Sequence, residues 1–256
     1  MAGRWVAFGF ALLVTGWSVP GSALELRVGV AGAGTSAIRT IVEQFEASSG
    51  HRVVLVPDTA QGMVRRMEAD ETVDVVIASA VVIDLLTAKG LIRVGSRIDL
   101  ARGGIGIGVP DGVASPDISS LEAVERLLTS GVTIAYPDPA SGSASGLYIA
   151  DLLRRLGLAD TLRPKVRLAA SGEVVSLVAR READLVLQQM SEILPVTGVT
   201  MVGPLPPEIQ VTITYSAGIA AAAMEPEAAR AFLAFITGPA SLPVLANAGL
   251  EPPRQP

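Results

Sequence analysis

The stretch from Leu26 to Phe45, LRVGVAGAGTSAIRTIVEQF, constrains the fold more than any other part of the chain. It reads as an apolar strand, a turn of glycine, alanine and hydroxyl residues, and a helix whose apolar positions Ile38, Ile41, Val42 and Phe45 follow helical spacing. A turn of this kind at the carboxyl end of a strand leaves backbone N–H groups pointing outward, with the positive end of the helix dipole behind them. That is a seat for an anion. The construction recurs at Val132 to Leu156, VTIAYPDPASGSASGLYIADLLRRL, where Ile149, Leu152, Leu153 and Leu156 repeat the spacing behind a Ser/Gly turn. Two such seats predict two lobes facing one ligand.

With 256 residues, half of them hydrophobic, the chain can build one large domain or two of ordinary size. Met1 to Ala23 carries one basic residue, Arg4, then an apolar run from Trp5 to Val14, with Gly21 and Ala23 small ahead of a cut after Ala23. This is the pattern of a secretory signal peptide, and the apolar core is short for the roughly 20 residues of a membrane span. Of 25 acidic and 20 basic residues, only Arg4 leaves with the signal, so the exported chain carries a net charge of −6. An acidic chain argues against nucleic acid as partner. There is no cysteine, hence no disulfide and no lipid-anchoring thiol after the signal. The predicted compartment is the periplasm.

Downstream of the first helix, His51 to Val56 reads as a strand, Gly62 to Ala69 as a helix, and Val73 to Ala78, VDVVIA, as a strand buried on both faces. Strands alternating with helices predict an α/β fold with mixed, mostly parallel sheets. In GGIGIGVP, Ile105, Ile107 and Val109 alternate with glycines, a pattern of close backbone approach. A first crossing between lobes is predicted here. A second α/β unit follows, closed by the break Gly203-Pro-Leu-Pro-Pro207 and a return strand within Ile209 to Ala223. The final helix, with Ala228, Phe232, Phe235 and Ile236 on one face, then belongs to the first lobe. The expected division is 1–23 signal peptide, 24–103 plus 210–256 lobe 1, and 104–209 lobe 2, joined by a two-strand hinge.

The turn Gly32-Ala33-Gly34-Thr35-Ser36-Ala37 formally matches a dinucleotide fingerprint, with Asp58 at the end of the next strand. Glycines that permit a tight turn are the simpler account, and an exported protein meets little NAD. The single histidine, His51, falls at a strand's amino edge, whereas ligands of open α/β sheets gather at the carboxyl edge. With one His and no Cys, no catalytic triad or zinc site is predicted. Glu68, Asp70, Glu71 and Asp74 lack a calcium-loop pattern and read as a solvated helix end, and Arg65 and Arg66 as solvated too. What is plentiful is small hydroxyl donors just after predicted strands: Thr35, Ser36, Thr59, Ser79, Ser141, Ser143, Ser145 and Ser171. Each alone suits a cap or turn; together they line one sheet edge. Arg39, one helical turn beyond Thr35, either reaches the cleft or lies in solvent.

The order LRVGVAGAGTSAIRTIVEQFEASSGHRVVL, VRRMEADETVDVVIASAVVIDLLTAKGLI, VTIAYPDPASGSASGLYIADLLRRLGLADTLRPKV and READLVL resembles the type II periplasmic solute-binding proteins of ABC transporters, most closely the molybdate-binding branch. The resemblance spans nearly all of the exported chain. It implies two α/β lobes of the type II periplasmic-binding-protein fold that close on an anion held by backbone N–H groups and neutral hydroxyls. It also implies a monomer with no catalysis, no cofactor and no metal, and an inner-membrane ABC permease as partner. The family's two loop serines fall near Ala33 and Ala60, its second-lobe backbone donors near Ser143, Ala144, Ser145 and Gly146 and near Ser171, and its ligand tyrosine near Gln189. Ala33, Ala60 and Gln189 depart from that pattern. With Gly34, Thr35, Ser36 and Thr59 close by and Arg39 a candidate cation, the ligand stays open between a molybdate-like oxyanion and a small carboxylate. A periplasmic ligand sensor, or an exported α/β enzyme, is the alternative function.

Overall fold

The computed structural model describes residues 23–32 and 34–253, so the predicted signal peptide, apart from its last residue, and Ala33 lie outside the described residues. The first half runs β1 (Glu25–Ala31), α1 (Thr35–Ser49), β2 (Arg52–Asp58), α2 (Ala60–Glu68), β3 (Val75–Ser79), α3 (Ala80–Ala88) and the long β4 (Ile98–Pro110). The second runs α4 (Leu121–Thr129), β5 (Ile134–Pro137), α5 (Ala144–Arg155), α6 (Ala159–Leu162), β6 (Val166–Ala169), α7 (Val174–Ala179), β7 (Leu185–Gln189), α8 (Met190–Ile193) and β8 (Val199–Pro204). The chain returns through β9 (Thr212–Ile219) to α9 (Pro226–Ile236) and α10 (Leu242–Asn247). Among the described residues no helix is long and apolar enough to cross a membrane.

The strands lie in the order β2-β1-β3-β9-β4-β7-β5-β6, with β8 paired to β4. Pairing is parallel among β2, β1 and β3 and among β7, β5 and β6, and antiparallel wherever β9 or β4 takes part. Two lobes result because β4 belongs to both halves. Its residues Ile98–Gly104 pair with β9, whereas Ile105–Gly108 pair with β7 and Gly106–Pro110 with β8. Alternating side chains put a core on each face of each half, as a strand's period of two requires. Val75 and Ile77 of β3 pack with Leu26, Ile41, Phe45 and Phe232 on one face, while Val76 and Ala78 pack with Met63, Ile83 and Leu86 on the other. In the other half, Ile105, Ile107 and Val109 join Ile134, Ile149 and Leu187, with Ala135, Val175, Val186 and Ile193 behind. Phe232 and Ile236 of α9 sit in the cluster of β1 and α1.

The structure departs from the sequence expectations in specific ways. β8 ends inside the segment expected to be a break, and the return strand begins only at Thr212. Asp74 is not solvated: it is 2% exposed and accepts the backbone N–H groups of Arg27, Met224 and Glu225. Arg66 is not free either, being paired with Asp58 and Glu71, because α2 turns it toward the end of β2.

The glycines of β4 have a definite task. A Cβ on Gly106 would lie 2.8 Å from both the Gly203 carbonyl oxygen and the Met190 side chain, and one on Gly108 would lie 2.9 Å from Ile193. Their absence lets α8 rest directly on the sheet. Gly106→Ala should therefore cost about 1–3 kcal/mol, since backbone on β8 as well as α8 must move. A urea midpoint equal to that of wild type would contradict this.

Candidate functional site

The interlobe cleft holds a cavity of about 410 Å³ whose wall is largely the amino ends of helices. Thr35 opens α1, Thr59 caps α2 and Ala60 begins it, Ser79 precedes α3, Ser143 caps α5 and Ala144 begins it, and Gln189 precedes α8. The strand–turn–helix rhythm produces this, because each parallel strand delivers its chain to the same edge before the next helix starts. Thr59 Oγ1 accepts Gly62 N–H at 3.0 Å, and Ser143 Oγ accepts Gly146 N–H at 3.4 Å. Ser171 is held by Gln188, whose amide nitrogen lies 3.0 Å from its hydroxyl. Gln189 is 2% exposed, and its amide oxygen has no hydrogen-bond partner among the described residues.

Of the residues singled out in the sequence, Thr35, Thr59, Ala60, Ser143, Ala144, Ser171 and Gln189 line this cavity. Ser36 and Arg39 are exposed and stand outside it, because α1 buries Ile38, Ile41 and Val42 and turns these neighbours to its outer face. Ser145 is fully buried beside the Ser143 hydroxyl, at 3.0 Å, and does not line the cavity. Gly34 adopts φ 88°, a left-handed conformation that favours glycine. Its N–H does not point to open solvent. It donates to Glu192 Oε1 at 3.2 Å, across the cleft from the first lobe to α8.

Glu192 and Asp58 were not anticipated as site residues, and both line the cavity. Their environments differ. Burial tends to raise the Asp58 carboxyl, but the Arg66 and Thr59 hydrogen bonds and the Arg66 and Arg65 charges together hold it below the usual aspartate range. Glu192 has no arginine partner among the described residues: burial raises it to about 7, against only the Gly34 N–H. Among the described residues no Lys, Arg or His side chain lines the cavity. A second, apolar cavity of about 920 Å³ adjoins it through Ala60, Ser79, Ala144 and Ile213, walled by Val82, Leu85 and Leu147.

The chain matches the family model of the bacterial extracellular solute-binding proteins over residues 26–251, and it belongs to that family. It is 33% identical over 226 residues to an aconitate isomerase of Pseudomonas sp., covering 86% of this chain and 85% of that one. It is 29% identical over 229 residues to the molybdate-binding protein ModA of Escherichia coli strain K12, covering 86% and 87%. The periplasmic molybdate-binding protein of Azotobacter vinelandii shares the fold with a TM-score of 0.76 at 23% identity, covering 90% of this chain and all of that one. The two-lobed type II architecture expected from the sequence is thus the architecture of the chain.

The raised Glu192 carboxyl carries a stability consequence of definite sign. Below the ordinary glutamate value of 4.5 the group is protonated in both folded and unfolded chains. As pH rises from there to about 7 the unfolded chain ionises first, so the wild type loses stability relative to Glu192→Gln by up to about 3 kcal/mol, and the gap is constant above that. Urea unfolding of both proteins at pH 5 and pH 8 measures it; parallel curves at the two pH values would place Glu192 in a solvated setting instead.

Proposed function

We propose that this protein is an exported solute-binding subunit that captures a small polycarboxylate anion between its lobes and hands it to an ABC permease of the inner membrane. The observation that carries the reading is the cavity wall, in which several helix amino ends and neutral hydroxyls converge, the Asp58 carboxylate is paired with Arg66, and among the described residues no cationic side chain takes part in the lining. Such a wall favours an anion through partial charges and N–H donors while binding no counter-charge permanently. Closure would turn on two connections, β4 at Gly104–Ile105 and the segment 205–212, with lobes 24–103 plus 210–256 and 104–209, the protein acting as a monomer.

Several features favour a carboxylate over a tetrahedral oxyanion. The cavity falls within the range that accommodates organic ligands. Ala60 and Gln189 stand where the molybdate branch is expected to present a serine and a tyrosine. A protonated Glu192 can donate a hydrogen bond to a carboxylate, and the curated relative at 33% identity is named for aconitate. In a thermal-shift series at matched ionic strength, aconitate, citrate and related di- and tricarboxylates should stabilise the protein. A ligand at ~100 times its dissociation constant adds about 2.7 kcal/mol. Ala144→Phe, which fills the cavity from the start of α5, should abolish the shift without unfolding the free protein. A shift with molybdate alone, or with neutral sugars alone, would overturn the carboxylate reading.

A further inference from the structure

We propose that the cleft is also an isomerase site, in which the Glu192 carboxylate moves a proton between two carbons of a bound unsaturated polycarboxylate. The inference rests on the carboxylate reading above and assigns the same cavity a chemical step.

The argument begins with what Glu192 does not do. It makes no ion pair among the described residues, and its one recorded hydrogen bond is to Gly34 N–H. A glutamine would accept that N–H through its own Oε1, without the cost of a buried ionisable group. What only the carboxyl adds is a proton acceptor inside the cavity. The second acid of the wall, Asp58, is tied to Arg66 and to the Thr59 N–H and is held ionised. Glu192, raised to about 7, is poised to accept and return a proton near neutral pH.

The groups around it bear this out. Tyr215 and Asp58 are the other titratable side chains of the lining. Of the strands against which α8 packs, β7 and β8 carry no ionisable side chain. On β4, Asp99 is engaged by Ser216 and Arg97, and Arg102 by Glu251. On α1, whose amino end meets Glu192, Arg39 is exposed and stands outside the cavity, and among the described residues no cationic side chain lines the cavity beside Glu192.

The step balances without a co-reactant. Glu192 takes a proton from a methylene flanked by a carboxylate and a carbon–carbon double bond. The C–H electron pair delocalises through the double bond and the carboxylates, the original double bond becomes single in character and can rotate, and the proton returns to the far carbon. The double bond has moved and its geometry has changed; Glu192 ends as it began. The negative charge that spreads onto substrate oxygens during the step faces the amino ends of α1, α2 and α5, which open at Thr35, Ala60 and Ala144 in the cavity wall. Preorganised donors aimed at developing charge are what such a reaction needs.

The test uses the purified exported chain with cis-aconitate and, separately, trans-aconitate in D₂O, followed by proton NMR, with binding measured in parallel by thermal shift. Expected is interconversion of the isomers with deuterium entering at the exchanging carbons, at a rate that rises with pH and levels off above about 7. Glu192→Gln should lower the rate at least ~100-fold while still binding aconitate, and Glu192→Asp should retain part of it. Binding by wild type with neither interconversion nor deuterium uptake overturns the proposal and leaves the carrier reading standing. Turnover by Glu192→Gln at the wild-type rate overturns the assignment of the base. Absence of binding by any polycarboxylate removes the carboxylate reading and this inference with it.

Discussion

The double membership of strand β4 is the constraint from which the rest follows. One strand hydrogen-bonds to β9 by its first half and to β7 and β8 by its second, so the lobes are two halves of one connected sheet. At the residue where the pairing changes, the Gln210 side chain braces the crossing. Its Oε1 accepts Ile105 N–H at 2.9 Å and its Nε2 donates to the Ile105 carbonyl at 2.8 Å. A side-chain amide thus bridges the outgoing and the returning chain, where an unmade pair of backbone bonds would cost on the order of 1–3 kcal/mol each. Beyond the crossing, Gly106 and Gly108 give α8 its seat, and α8 carries Glu192 to the cleft. The position of a single carboxyl is in this way set by a strand that does not line the cleft cavity.

The electrostatics of the cavity come from backbone more than from side chains. Each helix amino end contributes roughly 0.3–1 kcal/mol toward an anion, with more where water is excluded. Several converging ends rival one buried cation and avoid its desolvation. The two acids of the wall show how neighbours separate like groups. Asp58 sits against Arg66, which is itself held by Glu71, and stays ionised; Glu192 has an N–H and a buried setting, and holds its proton to about neutrality. Pairs of carboxyls driven apart by environment mark acid–base assignments in general.

Much of the frame was legible because it is periodic. The i, i+3, i+4, i+7 pattern of Ile38 to Phe45 and of Ile149 to Leu156 marks α1 and α5, and the turns ahead of them mark the edge where Thr35 and Ser143 face the cavity. The Gly-Ile alternation before Pro110 marks close approach, which β4 makes to α8 and β8. The misses share a cause: they depend on facts that spacing does not carry. Thr35 and Ser36 are adjacent and chemically alike, yet only the rotation of α1 decides which lines the cavity. Ser145 repeats the type of Ser143 but turns inward toward it. Glu192 lies in a four-residue helix too short to show a period, and its partner Gly34 is 158 positions away. A signal did exist in QQMSEI, an acid directly following a strand whose carboxyl end faces the cleft. Asp58 was visible at the end of β2, but its neutralisation by Arg66 depends on how α2 leaves that strand.

A carrier and a proton-transfer enzyme ask nearly the same of such a cleft, which is why one fold serves both. A carrier must hold a carboxylate out of water, and neutral donors from helix ends do so without committing a fixed cation to the complex. An enzyme acting on the same acid must favour a state with more charge on those oxygens, and the same donors favour that state more strongly because their attraction grows with the charge they face. What separates the two functions is then a single group able to take a proton at the pH of its compartment. In this chain the wall contains one carboxyl whose charge is quenched by arginine and one whose charge is not, and the second stands at the amino end of α1, where the first lobe meets α8. That asymmetry is more than anion binding alone requires, since a neutral amide at 192 would bind the same N–H and repel no ligand.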